Sequence, residues 1–197
     1  MVIDLYTGTC GSGKSLHAAK DIRYYLNKPR GADKPVIANF MVETAFVKRP
    51  QAFTYMSNQD MTPDALMAFA DDYWSSGVRP FSEDYIELVI DECAVIFNSR
   101  RWSDKGRVGR RDSRMDWLEF MSQHRKYGYH ITLISQSSKM IDNQFRMCCD
   151  TEVNHRRVSS FGAFGALIGL LPIKLFLWVR YLYQPLLRLV EVPHPEE

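Results

Sequence analysis

The chain has 197 residues, 46% of them hydrophobic and 24% charged, with a formal net charge of +2. That length allows one domain with a sizeable core, with or without an appendage, and the composition excludes a disordered or collagen-like chain. The near-neutral balance gives no overall basic field for nucleic acid. Cys10, Cys93, Cys148 and Cys149 form no C-x-x-C pair, so reduced thiols in a cytosolic setting are expected rather than a disulfide framework.

Residues 2–6 are a short apolar run that predicts a strand. Residues 12–26 predict a helix, with Leu16, Ala19, Ile22, Tyr25 and Leu26 at helical spacing. No basic segment followed by a long apolar run opens the chain, so no secretory signal is expected. Residues 36–40 predict a second strand. Thr62 and Pro63 announce a helix that carries Leu66, Phe69 and Tyr73 inward and stops near Gly77. Residues 86–90 predict a third strand ending in Asp91-Glu92. A helix is expected over 116–127, with Trp117, Phe120 and Met121 on one side and Gly128 as its stop, followed by a fourth strand over 130–135. This alternation predicts an α/β fold, a mainly parallel sheet with helices on both faces.

Residues 1–158 are expected to form that core and residues 159–197 an apolar loop with an aromatic-rich strand, in the same domain or as a membrane-proximal appendage. Residues 161–173 hold no charge, but Pro172 and Lys174 break the run before the ~20 residues a spanning helix needs. Either a membrane contact or a buried segment at an oligomer interface fits it. Residues 176–183 alternate as an aromatic strand would, so additional C-terminal strands are expected to complete the sheet.

"GTCGSGKS" from Gly8 to Ser15 has the Walker A spacing. Its glycines let successive backbone N–H groups of Gly8, Thr9, Cys10, Gly11, Ser12 and Gly13 curl around phosphate, and the following helix adds its positive N-terminal end. Lys14 is suited to the β- and γ-phosphates of ATP and Ser15 to Mg2+. "LVIDE" reads as Walker B, with Asp91 on Mg2+ and Glu92 as the general base for an attacking water. Gln136, after the fourth strand, either orients that water and senses the γ-phosphate or merely ends the strand. Between Arg100 and Arg114 stand Arg100, Arg101, Lys105, Arg107, Arg110, Arg111 and Arg114, against Asp104 and Asp112. That segment fits a solvated loop, a nucleic-acid contact or a source of an arginine finger acting across a subunit interface, for which Arg100, Arg101 and Arg146 are candidates. The five histidines are scattered without metal-ligand spacing.

"LYTGTCGSGKS", "LVIDECAVIF" and "FMSQHRKYGYHITLISQSSKMIDNQFR" resemble the zonular occludens toxin (Zot) domain, the cytoplasmic ATPase part of filamentous-phage morphogenesis proteins. The resemblance runs from residue 2 to about 158. It implies a P-loop NTPase, an ATPase of the FtsK–HerA-like kind, assembled as a homo-oligomer at the cytoplasmic face of the bacterial inner membrane. The work it implies is virion assembly and extrusion, with other phage assembly proteins as partners and single-stranded phage DNA as cargo. It carries nucleotide binding to Gly8, Gly13, Lys14 and Ser15, Mg2+ and water to Asp91 and Glu92, and the sensor position to Gln136. Family members often have Pro where Cys10 stands, and they continue into a transmembrane helix and an outer domain, whereas this chain stops at Glu197. A small nucleoside or nucleotide kinase, and a membrane-associated scaffold switched by nucleotide, are the alternatives.

Overall fold

The computed structural model describes residues 3–28, 34–77, 79–98, 113–160 and 175–182. Its strands, in chain order, are β1 (Ile3–Thr7), β2 (Val36–Ala38), β3 (Phe53–Tyr55), β4 (Ile86–Ile90), β5 (Tyr129–Ile134), β6 (Thr151–Arg157) and β7 (Phe176–Leu182). The helices are α1 (Lys14–Asn27), α2 (Pro63–Ser75), α3 (Arg114–Gln123) and α4 (Asn143–Met147). All seven strands belong to one sheet of order β3-β2-β4-β5-β1-β6-β7. Every pairing is parallel except that of β6 with β7.

Alternate residues of each strand face opposite sides, so each central strand contributes to two cores. Ile3 and Leu5, Leu88 and Ile90, and Ile131 and Leu133 pack on one side with Leu66 and Ala70 of α2, Trp117, Phe120 and Met121 of α3, and Phe145 of α4. Tyr6, Val89, Ile134 and Val153 face the other side, where α1 buries Ala18, Ile22 and Leu26 at successive four-residue steps. Ile22 and Leu26 are fully buried, and each contributes roughly 1.5–3 kcal/mol. Trp117 and Cys93 are buried in the first of these cores.

Helix starts follow their local chemistry. Thr62 accepts a hydrogen bond from Ala65 N at 3.2 Å, with Pro63 at the first turn of α2. Ser113 and Asp116 form a reciprocal capping box that starts α3 two residues earlier than the apolar spacing suggests. The tail of that expected helix, His124–Tyr127, tightens into a 3-10 turn. Other bounds differ from expectation: α1 begins at Lys14 because Gly13 is left-handed, β2 ends at Ala38, β1 extends to Thr7, and β5 spans Tyr129–Ile134. The structure adds β3, α4 and β6, none of which the sequence announces. The aromatic strand near the C-terminal end is present as β7, and it pairs along the whole of β6 as the sheet's edge. Residues 99–112, with most of the arginine-rich segment, and residues 161–174 lie outside the described residues.

Candidate active site

β1, β4 and β5 are parallel neighbours and therefore end on the same sheet edge. The loop that leaves β1 wraps the start of α1. Gly11 (φ 72°) and Gly13 (φ 94°) hold the left-handed backbone that turns the chain inward there. Gly8 is needed for space as well, since a Cβ would run into the His155 carbonyl oxygen and sit 2.7 Å from Ser12 Oγ. Thr9 and Cys10 are exposed at the tip, where their backbone groups matter; Ser12 N donates to Thr9 O at 3.2 Å. Ser12 Oγ is buried without a hydrogen-bond partner. Lys14 is buried too, and its Nζ donates to Gly8 O at 2.7 Å and Thr9 O at 3.0 Å. Burial pulls the Lys14 pKa below that of an ordinary lysine, and the Asp91 carboxylate opposes the shift.

These observations fit a phosphate group. The loop turns on two left-handed glycines, holds the Lys14 amino group and leaves a buried hydroxyl unmatched. A cleft of about 350 Å3 opens beside it, lined by Gly11 to Leu16 together with Arg157 and Phe176.

Ser15 Oγ donates to Asp91 Oδ2 at 2.8 Å, which ties the loop after β1 to the carboxylate after β4. The pair is an oxygen donor set suited to a hard cation such as Mg2+. Asp91 is held from several directions. Its Oδ1 accepts from Glu92 N at 2.8 Å, and Asn39, just past β2, brackets its backbone. Asn39 Oδ1 accepts from Asp91 N at 2.7 Å while Asn39 Nδ2 donates to Asp91 O at 2.8 Å. The same Nδ2 also donates to Asn58 Oδ1 at 2.6 Å.

Glu92 has φ 48° and ψ 41°, a left-handed backbone that a non-glycine residue rarely adopts. Such a conformation costs on the order of 1–3 kcal/mol and clusters at functional sites. The turn is kept by Val95 N donating to Glu92 O at 2.8 Å. It leaves the Glu92 side chain exposed on a cleft of about 310 Å3 that Ser135, Gln136 and Asn98 also line. Gln136 stands between the two halves of the site, because β5 lies between β1 and β4. Its carbonyl accepts from Gly8 N at 3.4 Å.

Arg146 is not brought to this loop. It sits on α4, in the crossover that returns the chain to the start of β6, and its Nη2 donates to Asn143 Oδ1 at 2.6 Å. It lines neither of the two clefts just described. Arg100 and Arg101 lie outside the described residues.

Two contributors escaped sequence reasoning. Asn39 carries a faint signal, a side-chain amide directly after an apolar strand. His155 carries none. Its backbone carbonyl closes the space behind Gly8, and its Nε2 lies 2.8 Å from His17 Nδ1. Burial depresses the pKa of both rings, which suits a neutral pair in which one nitrogen donates and the other accepts.

The sequence model of the family described as "Zonular occludens toxin (Zot)" matches residues 2–168. The Gene 1 protein of Salmonella phage IKe is 30% identical over 149 residues, which cover 74% of this chain and 37% of that protein. The chain thus spans well under half the length of that relative. Among solved structures, the pCW3 conjugation coupling protein TcpA superposes with a TM-score of 0.52 at 16% identity, over 78% of this chain and 48% of that one. The N-terminal domain of zonular occludens toxin from Neisseria meningitidis gives 0.47 at 19% identity, over 78% and 76%.

Proposed function

The chain belongs to the zonular occludens toxin (Zot) family, and from that premise we propose that it is a Mg2+-dependent ATPase driving filamentous virion assembly and extrusion. The observation that carries the reading is the 2.8 Å hydrogen bond from Ser15 to Asp91, with Glu92 as the next residue. A phosphate cradle, a cation-binding pair and a free-standing carboxylate occupy one sheet edge. That is the set a hydrolase needs, whereas a transferase has no use for a base that activates water.

The backbone N–H groups of Gly8 to Ser15 bind the phosphates, and the Lys14 amino group supplies the neutralising charge. Ser15 and Asp91 would hold Mg2+, which when bound offsets the charge that develops on the phosphate oxygens. Asn39 fixes the Asp91 backbone so that this carboxylate does not drift. Glu92 orients the attacking water and takes its proton, and the Gln136 amide, facing the same cleft, steadies that water. Arg146, on the crossover before β6, is assigned as the finger that reaches into a neighbouring copy. The remainder of the reading follows the phage relative: a homo-oligomer at the cytoplasmic face of the host inner membrane, acting with other phage assembly proteins on single-stranded DNA.

Glu92→Gln tests the chemistry. The variant binds ATP as before and loses about 10²–10⁴-fold in turnover; retained turnover sinks Glu92 as the base. Virion release from cells whose only copy is Glu92→Gln tests the work, and normal phage yield would separate hydrolysis from assembly.

A further inference from the structure

The cleft beside the phosphate loop has a second wall that the hydrolysis chemistry leaves unused. β7 lies at the edge of the sheet, two strands beyond β1, and its residues alternate against β6. Arg157 is directly opposite Phe176, and His155 is opposite Trp178. Val153 lies on the α1 side of the sheet, so His155 and Arg157 lie on that side too, with Trp178 and Phe176 across from them.

Two contacts seat β7 on α1. The Trp178 ring stacks on His17 with centroids 4.6 Å apart and planes at 29°. Phe176 packs on Gly13, where an added Cβ would lie 2.7 Å from Phe176 Cδ1 and 2.9 Å from Cγ. The absent side chain at residue 13 therefore serves two ends, the left-handed turn and the close approach of an aromatic ring. Phe176 is half-buried and lines the cleft, as does Leu16, which is 60% exposed on the first turn of α1.

The strand order fixes the direction of a nucleotide in this loop. Asp91 and Glu92 end β4, which lies on one side of β1; Phe176 and Arg157 lie on the other. A triphosphate whose terminal group meets Glu92 must leave the loop with its nucleoside end toward β6 and β7. We propose that Phe176 and Arg157 form the nucleoside subsite, with the nucleobase stacked on the Phe176 ring beside Leu16 and the Arg157 guanidinium over the ribose and α-phosphate. This rests on reading the loop as a nucleotide site. Aromatic stacking accepts any base, because every base has a π-face, so Phe176 contributes affinity and orientation rather than base choice.

The test is calorimetric titration of the full chain with ADP and, separately, with inorganic pyrophosphate, neither of which turns over. Phe176→Ala should weaken ADP about tenfold, within the range of stacking losses, and leave pyrophosphate within about twofold. Phe176→Leu keeps an apolar side chain on Gly13 and should show the same selective loss if Ala disturbs the loop. Arg157→Gln should weaken ADP about fivefold at low salt and less as salt screens the guanidinium. Equal losses for both ligands, or no loss for ADP, overturn the subsite while leaving the loop intact. Wild-type protein that binds neither ligand overturns the nucleotide reading, and the subsite falls with it.

Discussion

Replacing His130 with Gln tests how the sheet tolerates carboxylates beneath the edge that carries the candidate site. Asp4 on β1 and Glu87 on β4 are both buried, and both face α1. His130, directly opposite Glu87 in register, lies between them, with Nδ1 2.7 Å from Glu87 Oε1 and Nε2 3.6 Å from Asp4 Oδ2. Lys34 Nζ reaches Glu87 Oε2 at 3.8 Å, and Thr151 Oγ1 donates to Asp4. Burial alone would depress the His130 pKa, but the Glu87 and Asp4 carboxylates outweigh it and push it up to about 10. Burial likewise opposes ionisation of Asp4, yet its bonds to His130 and Thr151 hold its pKa below the usual carboxylate value. An unfolded histidine titrates near 6.5, so between ~6.5 and ~10 the folded state carries an extra proton. The stabilisation is complete below the lower value and is lost as pH rises through the window, at up to about 1.4 kcal/mol per pH unit. Across the window that amounts to roughly 5 kcal/mol, in line with the ~3–5 kcal/mol lost when a buried ion pair is broken by removing one partner. His130→Gln keeps a hydrogen-bonding group near Glu87 but no charge. Urea denaturation should show it about 3–5 kcal/mol less stable near pH 6, with the gap closing toward pH ~10. Wild-type and variant curves that run parallel across that range would refute the charge assignment.

Gly13→Ala should lower stability by about 1–2 kcal/mol for the left-handed backbone alone, with a further loss from displacing Phe176, measurable by thermal melting; pyrophosphate binding should fall with it. Asn39→Ala releases the Asp91 backbone and should cut kcat about 10–100-fold, since small misplacements are costly in catalysis, while ADP affinity in EDTA changes little. Glu92→Gly relieves the left-handed strain and should raise stability by about 0.5–1 kcal/mol while abolishing turnover, so a variant that melts lower contradicts the strain. Ser113→Ala removes the cap of α3 and should cost about 1 kcal/mol in a urea titration without touching nucleotide affinity.

What could be read along the chain was whatever local chemistry encodes. The glycine spacing of residues 8–13 requires a turn at those places, and the apolar run before Asp91 requires a buried strand wherever the sheet lies. β6 was invisible for the same reason. Its sequence, TEVNHRR, alternates buried and outward positions, but Thr151, Val153 and His155 are the inward residues and only one is strongly apolar. The burial is real, while the hydrophobic signal that normally reports it is missing. Asp4, Glu87 and His130 follow the same logic, since each polar side chain is buried only because the others meet it across neighbouring strands.

Strand order lies a step further from the sequence, and the site depends on it. Nothing local to residues 129–134 states that β5 inserts between β1 and β4, yet that insertion places Gln136 between the phosphate loop and Glu92. It also sends β6 and β7 to the far side of β1, where Phe176 closes on Gly13. In the proposed pose the terminal phosphate and the nucleoside thereby lie on opposite sides of one strand. The motif supplies the cradle, but the order of the sheet decides which way a nucleotide must lie in it. On the proposed pose, Phe176, far along the chain, is as much a part of the site as Lys14.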